Sequence, residues 1–82
     1  MRSSEFQLII ISAEKKIFSG NVTSLVAPGV SGQFGVYPDH AAMITALKKG
    51  VVVYKTNAGE QTLEVNGGVV EVNKNVVTIC VE

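Results

Sequence analysis

The chain has 82 residues, with seven Lys or Arg balanced by seven Asp or Glu, one His and one Cys. A neutral chain of this size is expected to be one domain, residues 1–82, and its charges are scattered through turns and strand faces. They offer no electrostatic grip on nucleic acid or on an anionic membrane surface. Cys80 has no partner for an intrachain disulfide, and no Cys/His cluster offers a zinc site, so the core must suffice or a partner must help.

Val, Ile and Thr supply 25 of the 82 residues, while strong helix formers never line up with a helical period over a long window, which predicts an all-β chain. No apolar run approaches the length of a membrane-spanning helix, and Met1 is not followed by the basic, apolar and small-residue regions of a secretion signal. These features point to an intracellular protein, soluble or peripheral, with no direct membrane insertion. Residues 1–4 read as a flexible start.

Phe6 to Ile11 is a short apolar run read as a first strand with both faces at least partly covered. After Lys15 to Ser19, the dipeptide Gly20-Asn21 predicts a tight hairpin turn, with Val22 to Ala27 returning as the partner strand and Pro28-Gly29 ending it. An irregular stretch, Gly32 to Leu47, follows. Within it Met43, Ile44 and Leu47 have the spacing of a helical stripe, and the run also fits a turn followed by a strand. Lys48-Lys49-Gly50 makes a basic turn before a strong strand, Val51 to Thr56. Asn57 to Glu60 is a hairpin loop, and Gln61 to Val65 alternates as a half-buried returning strand does. Asn66-Gly67-Gly68 is too short for a crossover and predicts a bulge or a sheet-switching bend. Val69 to Val72, a turn at Asn73-Lys74-Asn75 and Val76 to Val81 complete eight or nine strands, the signature of a sandwich or flattened barrel.

Chemistry is sparse. His40 adjoins Asp39, but neighbours on an extended segment point to opposite faces and no Ser or Cys nucleophile is locally implied, so His40 reads as a structural or interface residue. Cys80, inside an apolar strand, is expected to be a buried, inert thiol. Phe34 and Tyr37 among glycines resemble a base-stacking run, the basis of an alternative reading as a small β-barrel that binds single-stranded nucleic acid. No basic residue flanks them, as such a site needs. Gly29, Gly32 and Gly35 have the wrong spacing for a phosphate loop and read as turn-shaping residues, and the Tyr37–Pro38 bond is expected to be trans. No catalytic, cofactor or metal site is expected.

The run Gly32-Gln-Phe-Gly-Val-Tyr-Pro-Asp-His-Ala-Ala-Met-Ile-Thr-Ala-Leu47 resembles the region of the ATP synthase epsilon subunit written as a glycine, a hydrophobic pair, proline, then Gly-His-Ala-Pro and a Leu/Thr-rich segment. Ile11-Ser-Ala-Glu14 with Phe18-Ser-Gly20 resembles that family's opening hairpin, and Val65-Asn-Gly-Gly-Val-Val-Glu-Val72 its Gly-Gly strand, so the likeness runs from Phe6 to Val81. It implies a flattened, mostly antiparallel β-sandwich: the amino-terminal domain of a non-catalytic rotor (central-stalk) subunit of a proton-translocating F-type ATP synthase. It further implies partners in the gamma subunit and the c-ring, and a peripheral place on the cytoplasmic face of the bacterial inner membrane or its organellar equivalent. Carried over by position, Ser12, His40 and Thr45 fall on or near the gamma-facing surface, and Gln33 falls where the family often has an acidic residue near the c-ring loops. Asp39 stands for the usual glycine and Ala42 for the usual proline. Many relatives continue into a two-helix carboxy-terminal domain that nothing after Glu82 supplies, which reads as a short or truncated form.

Overall fold

The computed structural model describes residues 4–82. Three of the four residues read as a flexible start therefore lie outside the described residues. The described chain forms nine strands: β1 (Phe6–Ile11), β2 (Lys16–Val22), β3 (Ser24–Gly29), β4 (Gly32–Val36), β5 (Met43–Leu47), β6 (Gly50–Thr56), β7 (Gly59–Val65), β8 (Gly68–Asn73) and β9 (Val76–Val81). They run β2-β1-β9-β8-β5-β3-β6-β7 in one sheet, with β4 on the free side of β3. Every pairing is antiparallel except β1 with β9.

The sheet is folded into two leaves. Its two halves are joined in the ladder by a single residue pair between β5 and β3, Gly29 with Leu47, flanked by the bonds Val30 N–H to Ala46 O (3.0 Å) and Lys48 N–H to Pro28 O (2.9 Å). Beyond that fold one leaf is β2-β1-β9-β8-β5 and the other β4-β3-β6-β7. Phe18 on β2 meets Tyr54 on β6 at a ring-centroid distance of 4.7 Å, so opposite ends of the strand order close over the core. The smallest dimension, 19 Å, is that of two packed sheets. This is the flattened sandwich that the sequence predicts.

Alternation does the burying. Phe6, Leu8 and Ile10 of β1, Val70 and Val72 of β8, and Val77 and Ile79 of β9 point inward against Leu25, Ala27, Val36 and Val52 of the other leaf. Each such Val, Leu, Ile or Phe side chain contributes about 1.5–3 kcal/mol by leaving water. Ile9 and Ile11 stay half-buried on the outer face, so β1 is partly covered on both sides as expected.

Three sequence readings change. Gly20-Asn21 is not a turn: β2 runs through it, with Gly20 opposite Leu8 and Asn21 opposite Gln7. Gly20 instead makes room for the Phe18 ring, which lies 3.1 Å from where a Cβ would be. The hairpin turn is at Ser12–Lys15, where the Ser12 hydroxyl accepts from the amides of Glu14 and Lys15, both at 3.3 Å. Val22–Ala27 is likewise not the partner of the preceding strand; β3 leaves for the second leaf. Cys80 is exposed, not buried, because Val77 and Ile79 take the inward positions of β9 and put Cys80 beside Val69 on the outer face. The ambiguous run Met43–Leu47 is a strand, and the Tyr37–Pro38 bond is trans.

Asn66-Gly67-Gly68 is the sheet-switching bend: β7 ends on the second leaf and β8 begins in the first. Gly67 and Gly68 sit at φ 154° and 151°, and a Cβ on Gly68 would run into the Cys80 carbonyl. Replacing Gly68 with Ala is therefore expected to cost about 3 kcal/mol, read as a lower urea midpoint with unchanged slope. An unshifted midpoint would refute this account of the bend.

Candidate docking surface

The irregular stretch divides its aromatics between the two faces. On β4, Phe34 and Val36 point inward; Val36 is buried, and Phe34 is half-buried at the edge of the core. Gly29 lets the Phe34 ring approach, since a Cβ there would lie 2.9 Å from the ring and 2.8 Å from the Gly32 carbonyl. Its role is thus close packing as well as turn shape. Tyr37 goes the other way, 59% exposed, its ring over Gly35. Two aromatics on opposite faces, one of them in the core, make no base-stacking platform.

Where β5 diverges from β3 the sandwich has an open mouth. Phe34, Met43 and Thr45 face into it, and Ser31, Gly32 and Gln33 form its rim around a groove of about 290 Å³. Thr45 is half-buried opposite Val70, and Gln33 is exposed opposite Pro28. The structure thus brings Thr45 and Gln33 together.

The connection from 37 to 42 carries His40. The ring is half-buried, and its Nδ1 lies 2.6 Å from the Ala41 carbonyl, to which the Nδ1-protonated tautomer donates. The segment is not extended at this point. Asp39 has φ 65°, and its groups turn toward the β8–β9 turn: its N–H donates to Asn75 Oδ1 at 2.7 Å, and Asn75 Nδ2 donates to its Oδ1 at 2.9 Å. The sequence does not single out Asn75 as the partner of Asp39, because nothing local links positions 36 residues apart.

Ser12 lies elsewhere. β1 runs parallel to β9, so the Ser12 turn lies at the Cys80 end of the sheet and Asp39 at the Val76 end. Ser12 lines a second mouth of about 500 Å³, floored by Ile17, Leu63 and Val81 and rimmed by Glu14, Glu64 and Glu82. Among the described residues no group of His, Cys, Asp or Glu is arranged to hold a metal ion.

Residues 5–82 match the family described as "ATP synthase, Delta/Epsilon chain, beta-sandwich domain". The chain belongs to that family. It is 50% identical over 74 residues to the "ATP synthase epsilon chain" of Xanthomonas euvesicatoria pv. vesicatoria (strain 85-10) and, to the same extent, to that of Xanthomonas axonopodis pv. citri (strain 306). Those alignments take in 89% of this chain and 53% of each relative, so the chain spans about half the length of the curated relatives it matches. In fold, this delta/epsilon sandwich superposes with a TM-score of 0.90 on a chain of the Euglena gracilis mitochondrial ATP synthase, at 20% identity, covering 99% of this chain and 52% of that one. A chain of the Tetrahymena thermophila mitochondrial ATP synthase central stalk and c-ring gives 0.78 at 15% identity, with 99% and 66% covered. The fold extends well beyond recognisable sequence.

The division of aromatics has a measurable consequence for this family member. Phe34→Ala opens the edge of the core and is expected to cost about 2–3 kcal/mol, whereas Tyr37→Ala stays within about 0.5 kcal/mol, both by urea unfolding. Equal losses would show that Tyr37 is not the outward-facing partner of the two.

Proposed function

We propose that this chain acts as a non-catalytic central-stalk element of a proton-translocating F-type ATP synthase, docking on the gamma subunit and the c-ring and helping couple proton flow to rotation. The observation that carries this reading is the 50% identity to ATP synthase epsilon chains over 89% of the chain. The geometry suits it: two leaves locked by a shared core form a stiff body, and the irregular features lie at its mouths and in one loop. Ser12, His40 and Thr45 are assigned to the gamma-facing surface and Gln33 to the c-ring. The spread of Ser12 and His40 to opposite ends of the sheet supports a broad gamma contact rather than one pocket. In this role the chain is peripheral, held at the cytoplasmic face of a bacterial inner membrane, or its organellar equivalent, through its protein partners.

Gln33 marks where this chain's hold on the ring differs from that of relatives with an acidic residue there. A neutral amide offers hydrogen bonds without a long-range charge term. The alternative of single-strand nucleic-acid binding has against it the split aromatics and the neutral charge.

The reading is tested by titrating the chain against purified gamma subunit and c-ring. Association at micromolar concentration is expected, and its absence would overturn the assignment. Gln33→Glu is expected to strengthen the c-ring contact by about 0.5 kcal/mol at low salt and to lose that gain near 0.5 M salt, as exposed ion pairs do. A gain that persists at high salt would contradict the charge explanation.

A further inference from the structure

The connection 37–42 is six residues long, against four or fewer for every other link between the described strands. It is therefore the segment with the most freedom to change shape without breaking a ladder. It also holds one of two non-glycine residues in the left-handed region. Asp39 and Lys74 are the only non-glycine residues at positive φ among those described, at 65° and 56°, and they flank the same contact. Lys74 shapes the β8–β9 turn that presents Asn75, and Asp39 is the residue Asn75 receives.

Asn75 itself does not float. Its backbone carbonyl accepts from Gln7 N–H at 2.8 Å, at the start of β1, whose Phe6 and Leu8 are buried. A short chain of hydrogen bonds thus runs from a central strand through the Asn75 backbone and side-chain amide to the backbone N–H of Asp39, next to His40. The amide uses both ends, as acceptor from the Asp39 N–H and as donor to the Asp39 carboxylate, so it fixes Asp39 in position and orientation. The left-handed conformation at Asp39 costs about 1 kcal/mol for most residues, less for Asp.

We propose that Asn75 is a positioning residue of the docking surface: by clamping Asp39 it holds the 37–42 loop, with Tyr37 and His40, in the shape that the gamma subunit receives. This rests on the gamma-docking reading above. Asn75 need not touch the partner. Its contribution is the fraction of chains whose loop is already in the competent conformation, and apparent affinity scales with that fraction.

The test uses the full chain and purified gamma subunit, with amide exchange of residues 39–42 and the urea midpoint measured beside the dissociation constant. For Asn75→Ala, exchange at Asp39 is expected to rise and affinity to fall roughly five- to tenfold, chiefly through slower association. Asp39→Asn keeps the acceptor and the tolerance of positive φ, and is expected to bind within about twofold of the unaltered chain. Asp39→Ala leaves the β8–β9 turn intact and is expected to reproduce the loss, so the test survives if Asn75→Ala fails to fold. The double variant is expected to lose little more than either single one.

Unchanged exchange at Asp39 in folded Asn75→Ala would overturn the clamp. Faster exchange with unchanged affinity would overturn its role in docking. Failure of the unaltered chain to bind gamma would instead overturn the docking reading, and is seen before any variant is made.

Discussion

The structure depends on one narrow joint, the single pairing of Gly29 with Leu47. A nine-stranded sheet left flat would expose one apolar face of every strand; folding at this joint lays Leu8, Ile10, Val70 and Ile79 against Leu25, Val36 and Val52 and supplies the core that a chain of 82 residues with a single cysteine requires. The joint needs glycine, because the Phe34 ring and the Gly32 carbonyl occupy the space of a Cβ. The same divergence of β5 from β3 leaves a mouth that the leaves do not close, and Gln33 and Thr45 meet there. The core and the groove thus share one origin: the sheet folds by parting two strands, and the parting leaves the groove open.

Much of this was legible in the sequence. Strand content follows from β-branched residues and short spacing, and glycines in a link too short to cross over narrow Asn66-Gly67-Gly68 to a bulge or a switch, between which the strand order decides. Motif order gave the family. What was not legible has physical causes. In the run Val76 to Val81 nearly every residue is apolar, so alternation carries no phase and cannot show that Cys80 faces outward. Gly20-Asn21 has turn chemistry, yet pairing with β1 and the overlying Phe18 ring hold it extended. Tertiary contacts outweighed local preference there.

The docking surface was legible as residue types but not as an arrangement. Ser12 was seen as a matched position, and its second role, closing the β1–β2 turn through its hydroxyl, appeared only with the fold. Phe34 and Tyr37 look equivalent in sequence; three residues apart, they fall on opposite faces, one half-buried at the core edge and one exposed. Asn75 gave no signal, since its meaning comes from a loop 36 residues away.

In the proposed role, recognition sits on the mouth around Gln33 and Thr45, on the adjoining loop and at the Ser12 turn, while the folded leaves act as a rigid mount. Hydrogen exchange of the chain alone and in complex with gamma subunit and c-ring tests it most directly. New protection is expected at residues 12–15, 31–34 and 37–45, with the interior strands β1, β8 and β9 unchanged. Protection confined to the outer edges, β2 and β7, with no change at 31–45, would contradict it.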